Sequence, residues 1–154
     1  MSFYSFDTSS LINGRRDLLP PEIFPTLWER LEVVIRAGEL RCIDVVRDEL
    51  SKRDDDVSAW CRAQDDLYVA LEQDVQVATR RVLAAHPQLL GKGGGRNAAD
   101  PFVIGLAIVR GGTVVTEETP RGRIEKPRIP DVCQALGVPW LNLVGFVRQQ
   151  GWTF

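Results

Sequence analysis

SFYSFDTSSLI, residues 2–12, changes character at a single residue. Phe3 to Phe6 lean apolar and aromatic, as a short buried strand does. Asp7 ends the run. Three small hydroxyl residues follow, Thr8, Ser9 and Ser10, and then apolar Leu11 and Ile12. The pattern predicts a strand that delivers a carboxylate at its tip. Asp7 there has two readings. It can form the turn after the strand by accepting hydrogen bonds from following amides, or it can be placed for chemistry.

The rest of the chain sets that strand in an alternating series. PTLWERLEVVIRAGE (25–39) puts Phe24, Leu27, Trp28, Leu31, Val34 and Ile35 on one helical stripe, closed by Gly38. LRCI (40–43) reads as a second strand, and Asp44 as the N-cap of a helix over VVRDELSKR (45–53). DDDVSAWCRAQ (54–64) reads as a helix with an acidic start. LYVALEQDVQVATRRVLAAH (67–86) reads as one long helix, with Leu67, Leu71, Val75, Ala78 and Val82 on one side. PFVIGLAIVR (101–110) is apolar nearly all round, with Pro101 suited to a first helical turn, and predicts a buried helix. GTVVTEE (112–118) reads as a strand, IPDVCQALG (129–137) as a helix, PWLNL (139–143) as a final strand and VGFVRQQG (144–151) as a closing helix or turn. Short apolar strands alternating with helices predict an α/β fold: a three-layer α/β/α sandwich around a mainly parallel sheet of four to five short strands. Ligands of such open sheets sit beyond the carboxyl ends of the strands, where Asp7 is expected to lie.

Composition narrows the function classes. A chain of 154 residues without repeats or a linker predicts one domain over residues 1–154, with a helical insert around 54–86. With 44% apolar and 26% charged residues it has the makings of an ordinary folded core. A net charge of −2 argues against strong global attraction to nucleic acid or an anionic membrane, although a local basic patch stays open. Cys42, Cys61 and Cys133 are far apart, odd in number and without a CxxC pair, so reduced, mostly buried thiols are expected. No leading segment resembles a signal peptide, and no apolar run reaches the roughly 18 residues of a membrane span. A cytoplasmic protein without membrane partners is expected. The one histidine, His86, sits at a helix end; multi-histidine metal sites are excluded, and serine–histidine chemistry would need His86 itself.

Other carboxylates stand at positions comparable to Asp7. Glu49 lies in the helix after the second strand, in VVRDEL. Asp100 begins the buried helix, in NAADPFVIGLA. Glu117 and Glu118 follow the strand VVT. Each also has an ordinary role: Asp100 as a helix N-cap, Glu49 as an exposed helix residue, Glu118 as a loop charge. Converging carboxylates repel one another and are stable only with protons taken up or cations bound. Hard oxygen ligands without histidine or cysteine suit Mg2+ or Mn2+, which can activate water for phosphodiester cleavage.

FDTSSLI, VVRDEL, NAADPFVIGLA and VVTEE, in that order, resemble the PIN-domain nuclease family, over residues 3 to about 145. PIN proteins carry an aspartate at the first strand tip, a glutamate in a helix after the second strand, an aspartate at the start of an apolar helix, and a fourth acid after the next strand. The resemblance implies metal-ligand and catalytic roles for Asp7, Glu49, Asp100 and Glu118, with Ser9 and Thr116 supporting. Glutamate stands where many PIN domains have a fourth aspartate, so Glu117, Glu118 or a water-mediated contact stays open. The closing PDVCQALGVPWLNLVGFVRQQGW resembles a bacterial PIN branch of toxin–antitoxin operons. The implied activity is metal-dependent endoribonuclease cleavage, with RNA as substrate and a cognate antitoxin as partner. The insert leaves a dimer face, an antitoxin face and a lid open.

An RNA groove needs cations. Arg15, Arg16, Lys92, Arg96, Arg110, Arg121, Arg123, Lys126 and Arg128 are available, with Arg15, Lys92, Arg96, Arg121 and Arg123 the expected phosphate contacts. GKGGGR (91–96) lacks the spacing and the Ser or Thr of a phosphate-binding P-loop and reads as a hinge beside the site. Two rivals stay open: a catalytically weak protein-binding module, and a structure-specific DNA nuclease.

Overall fold

A computed structural model describes residues 2–53, 55–90 and 98–154. Lys92, Arg96 and the GKGGGR hinge lie outside the described residues.

The sheet has five parallel strands: β1 (Tyr4–Phe6), β2 (Leu40–Ile43), β3 (Tyr68–Val69), β4 (Thr113–Val115) and β5 (Trp140–Leu141), in the spatial order β3-β2-β1-β4-β5. Tyr4 lies opposite Leu40 on one side and Thr113 on the other. The chain thus builds outward from β1 to β3, then returns to β4 on the opposite flank. That reversal makes β1/β4 the topological switch point, where adjacent connections leave in opposite directions and open a crevice at the carboxyl ends.

Helices cover both faces. Alternation along β1 shows the two sides. Tyr4 and Phe6 pack edge-on against Phe146 of α8 (Leu143–Gln150), with ring centroids 4.8 and 5.2 Å apart. Ser5 points the other way, and its hydroxyl donates to the Val103 carbonyl of α6 (Asp100–Arg110) at 2.8 Å. Trp28 of α2 (Pro25–Arg36) and Leu143 of α8 both close on Gly14, where a Cβ would run into Leu143. The buried stripe of α2 is Leu27, Trp28, Leu31, Val34 and Ile35, as the spacing predicts. Each fully buried member contributes roughly 1.5–3 kcal/mol by transfer out of water. Gly38 closes this helix with φ of 82°, a conformation that L side chains avoid.

The second layer holds α5 (Gln73–Ala85), α6 and α7 (Ile129–Leu136). Gly105 lets α6 sit directly on α5; a Cβ there would run into the Thr79 hydroxyl. The Thr79 hydroxyl itself is turned back onto the Val75 carbonyl at 2.7 Å. All three cysteines are free and buried, and burial pushes the Cys61 and Cys133 thiols up to about 12. His86 follows the last residue of α5, at the helix end. Among the described residues no helix is long and apolar enough to cross a membrane.

Three local expectations are corrected. Residues 67–86 are not one helix: Tyr68 and Val69 form the edge strand β3, which pairs with Cys42 and Ile43, and the helix begins only at Gln73. Tyr and Val favour a pleated surface, and β2 offers a free edge; tertiary pairing overrides the helical periodicity. The segment 54–86 therefore supplies a strand of the sheet as well as α4 (Asp56–Arg62) and α5, rather than helices alone. Asp44 does not cap: residues 44–46 form a tight 3-10 turn before α3 (Arg47–Ser51), and Asp44 pairs with Arg47 at 2.8 Å instead. Residues 8–13 form a helix, α1 (Thr8–Asn13), continuing into a wider turn over Gly14–Leu18, which the run of hydroxyls did not announce.

Candidate active site

Asp7 stands at the carboxyl end of β1, in the N-cap position of α1, with its amide donating to the Val115 carbonyl at 2.8 Å. The parallel ladder thus runs on to Asp7 and fixes its backbone. Its side chain makes no capping hydrogen bond to the helix. It is buried and accepts instead from two hydroxyls: Ser9 at 2.7 Å and Thr116 at 2.9 Å, both on Oδ2. Burial raises its pKa; those hydroxyls and the nearby Thr8 and Ser9 amides pull the other way without cancelling the shift. Asp7 thus forms the turn through its backbone carbonyl, which accepts from the Ser10 amide at 3.2 Å, while its carboxylate is held mainly by the two hydroxyls.

β4 supplies the partner wall. Thr116, fully buried, continues the ladder through an amide bond to the Leu141 carbonyl at 2.9 Å. Its hydroxyl reaches Asp7 and also accepts from the Glu118 amide at 3.2 Å. Glu117 and Glu118 then diverge. The Glu117 carboxylate accepts from Ser10 at 3.1 Å and from the Leu143 amide at 2.9 Å, tying α1 to the start of α8. Glu118 accepts from the Ile129 amide at 2.9 Å, and burial followed by the Asp7 charge raises its pKa against that bond. Glu118, rather than Glu117, shares the neighbourhood of Asp7.

Glu49 enters from α3, beyond β2. Thr8 donates to it at 3.2 Å, and burial with the Asp7 charge raises its pKa. Asp100 is the first residue of α6, with Ala99 in the N-cap position and no side-chain capping bond. The N-cap reading of Asp100 does not hold. It is 8% exposed, and burial together with Glu118, Asp7 and Glu49 pushes its pKa up to about 9. Four acids far apart in sequence thus occupy one electrostatic neighbourhood at the switch point. The donor chemistry suits a hard divalent cation. The side chains themselves are not arranged for one: among the described residues no three His, Cys, Asp or Glu groups stand where they could hold a metal ion.

The expected basic residues separate. Arg121 and Arg123 are exposed on the connection after Glu118, and the Arg121 charge acts on Glu118. Arg15 is not a free cation for phosphate. Its guanidinium is paired with Asp56 and lies 5.0 and 5.4 Å from the rings of Trp28 and Trp60, with the side chain 12% exposed. Arg16 pairs with Asp17 at 2.9 Å, and Arg110 lies over Phe3.

Sequence reasoning missed Thr8 as the donor to Glu49 and Ser10 as the donor to Glu117. The available signal was the strand–helix junction itself: at the first turn of a helix, successive hydroxyls point in different directions, so each meets a different acid. One prediction belongs to this network. Thr116→Val keeps the shape and removes the donor, so the Asp7 pKa rises further. A carbon-13 NMR titration of the aspartate carboxyls reads this directly; an unchanged Asp7 titration would show that the 2.9 Å bond does not stabilise the charged form.

No curated protein matches the chain. Residues 4–154, nearly the whole sequence, match a family described as Domain of unknown function (DUF4411), and the protein belongs to that family.

Proposed function

We propose that this protein is a divalent-cation-dependent ribonuclease of the PIN kind, acting on single-stranded or looped RNA. The observation that supports this most is the meeting of Asp7, Glu49, Asp100 and Glu118 at the switch point, in one shared negative field. In this reading Mg2+ or Mn2+ would be held among these four once their side chains close on one centre, an arrangement they do not have among the described residues. When bound, such an ion makes water more acidic and neutralises charge on a phosphate. The chain's own residues prepare the site. Ser9 and Thr116 hold Asp7 in one orientation, Thr8 restrains Glu49, and the Ile129 amide restrains Glu118. Arg121 and Arg123 take backbone phosphates, contacts that position a strand without reading its sequence. Unpaired RNA suits a site at the bottom of a crevice better than a duplex does. The resemblance in the sequence adds the role of toxin in a toxin–antitoxin pair, with an antitoxin that blocks the acids by a basic side chain or fills a groove between helices, and with a face open to dimerisation.

The test is incubation of the purified protein with total RNA and Mg2+ or Mn2+. Cleavage that EDTA abolishes supports the reading; cleavage indifferent to EDTA overturns it. Charge reversal of Arg121 and Arg123 to glutamate should weaken RNA binding by about tenfold or more and flatten its salt dependence. Unchanged binding by fluorescence anisotropy would remove them from the interface.

One observation favours a second reading, a protein-binding module: no three of the acids stand ready to hold a metal among the described residues. A cation that binds the folded state must raise its melting temperature. A rise with Mn2+ favours the nuclease, and its absence favours the module.

A further inference from the structure

The connection Thr119–Arg128 leads from Glu118 to α7, and one carboxylate ties its two ends together. Asp131, in the first turn of α7, is 8% exposed. Its Oδ2 accepts from the Arg121 amide at 3.0 Å and the Arg128 amide at 2.8 Å, and its Oδ1 accepts from the Gly122 amide at 3.0 Å. Gly122 has φ of 73°, so the chain turns away after these two amides in a conformation that L side chains avoid. Burial alone would raise the Asp131 pKa; three amide donors outweigh it and hold the carboxyl below its usual range. Two further ties close the same junction. Glu118 accepts from the Ile129 amide, and the Arg128 guanidinium reaches the Thr119 hydroxyl and carbonyl at 3.3 and 3.4 Å.

Capping α7 needs only the bond to the Arg128 amide. The bonds to Arg121 and Gly122 fix the far end of the connection, next to Glu118. The result is a closed loop whose residues Arg121, Arg123 and Lys126 are exposed, with the Arg121 charge acting on Glu118. Such a site repels a polyanion, so a strand can approach only where cations stand close by in a fixed place.

We propose that Asp131 is a positioning residue: by tying both ends of the 119–128 connection it holds Arg121 and Arg123 as a preformed clip for two backbone phosphates of single-stranded RNA. This rests on the ribonuclease reading above. A clip that is already closed spares the strand the entropy of ordering the loop.

The experiment uses the full chain and a labelled single-stranded RNA, in EDTA for binding and in Mn2+ for cleavage, across a series of KCl concentrations. Asp131→Ala should weaken binding by about tenfold and lower the salt slope by roughly 1.4, the value for two lost phosphate contacts on a single strand. The loss falls on KM rather than on kcat, and the Mn2+-dependent rise in melting temperature is retained. Asp131→Asn can set its carbonyl oxygen where Oδ2 stands and keep two of the three bonds, so it falls between alanine and wild type. Arg121→Gln with Arg123→Gln should reproduce the slope loss, and adding Asp131→Ala to that pair should cost little more. A folded Asp131→Ala protein with wild-type slope and KM, or full additivity with the arginine pair, overturns the proposal while leaving the ribonuclease reading intact. Absence of both cleavage and a Mn2+ shift in the wild type overturns the ribonuclease reading, and this one with it.

Discussion

Asp7→Asn abolishes metal-dependent RNA cleavage and leaves the melting temperature equal or higher. The expected fall in rate exceeds the roughly 100-fold that loss of an outer partner of a metal ligand costs, because the carboxylate itself is removed. The fold survives for local reasons. The hydrogen bond from the residue 7 amide to the Val115 carbonyl is independent of the side chain, and asparagine can still accept from Ser9 or Thr116 through its carbonyl oxygen. Asp7 is buried beside three other acids, so a neutral isostere relieves repulsion rather than leaving a hole. Gel analysis of total RNA with matched circular dichroism decides it. Full Mn2+-dependent cleavage by a folded Asp7→Asn protein would sink the assignment.

Asp100→Asn should stabilise the cation-free protein at pH 7–8 and forfeit stabilisation by Mn2+. The Asp100 pKa is raised on folding, from an ordinary 3.8 to about 9. A raised group contributes its full stability below the unfolded pKa and loses it as pH rises through the folded one. Between about pH 4 and 9 the unfolded chain has released this proton and the folded chain still holds it, so folding must take up a proton whose cost grows with pH. Asparagine carries no such cost. The melting temperature of Asp100→Asn in EDTA should therefore match wild type near pH 4 and exceed it by about 5 °C or more at pH 8, given about 2–4 °C per kcal/mol at this size. With Mn2+ the order should narrow or reverse, because the ion replaces the proton in the wild type alone. A gap that stays flat with pH would mean that neither burial nor the charges of Glu118, Asp7 and Glu49 raise the Asp100 pKa. The two variants differ usefully: Asp7 is held by two hydroxyls and is expected to lose function, while Asp100 has burial and repulsion alone and is expected to gain stability.

Tertiary structure corrected the sequence where two physical preferences competed. Tyr68 and Val69 lie in a run whose apolar spacing suits a helix, yet β2 has an unpaired edge, and a parallel edge strand satisfies its backbone donors and acceptors. Asp44 has the composition of a cap, yet the 3-10 turn at 44–46 places it beside Arg47. Arg15 is a cation near the first motif, yet two indole rings and Asp56 enclose it. None of these partners is near in sequence, except Arg47 to Asp44, so local pattern had no access to them.

The sequence by itself determined the class of fold and the order of its acids. Short apolar runs and period-3.6 patterns are local, and β1, β2, β4, β5 and the principal helices each carry one, whereas the short edge strand β3 does not. The step from Phe6 to Asp7 is also local: an apolar strand must end where a carboxylate begins. Only the tertiary structure decided which carboxylates meet. The reversal of strand order at β1 brings residues 7, 49, 100 and 118 within one another's electrostatic reach. Backbone amides then divide the adjacent Glu117 and Glu118 between a strut to Leu143 and the acidic site. Adjacent residues of one type look alike in a sequence; they differ only in the donors that the fold sets in front of them.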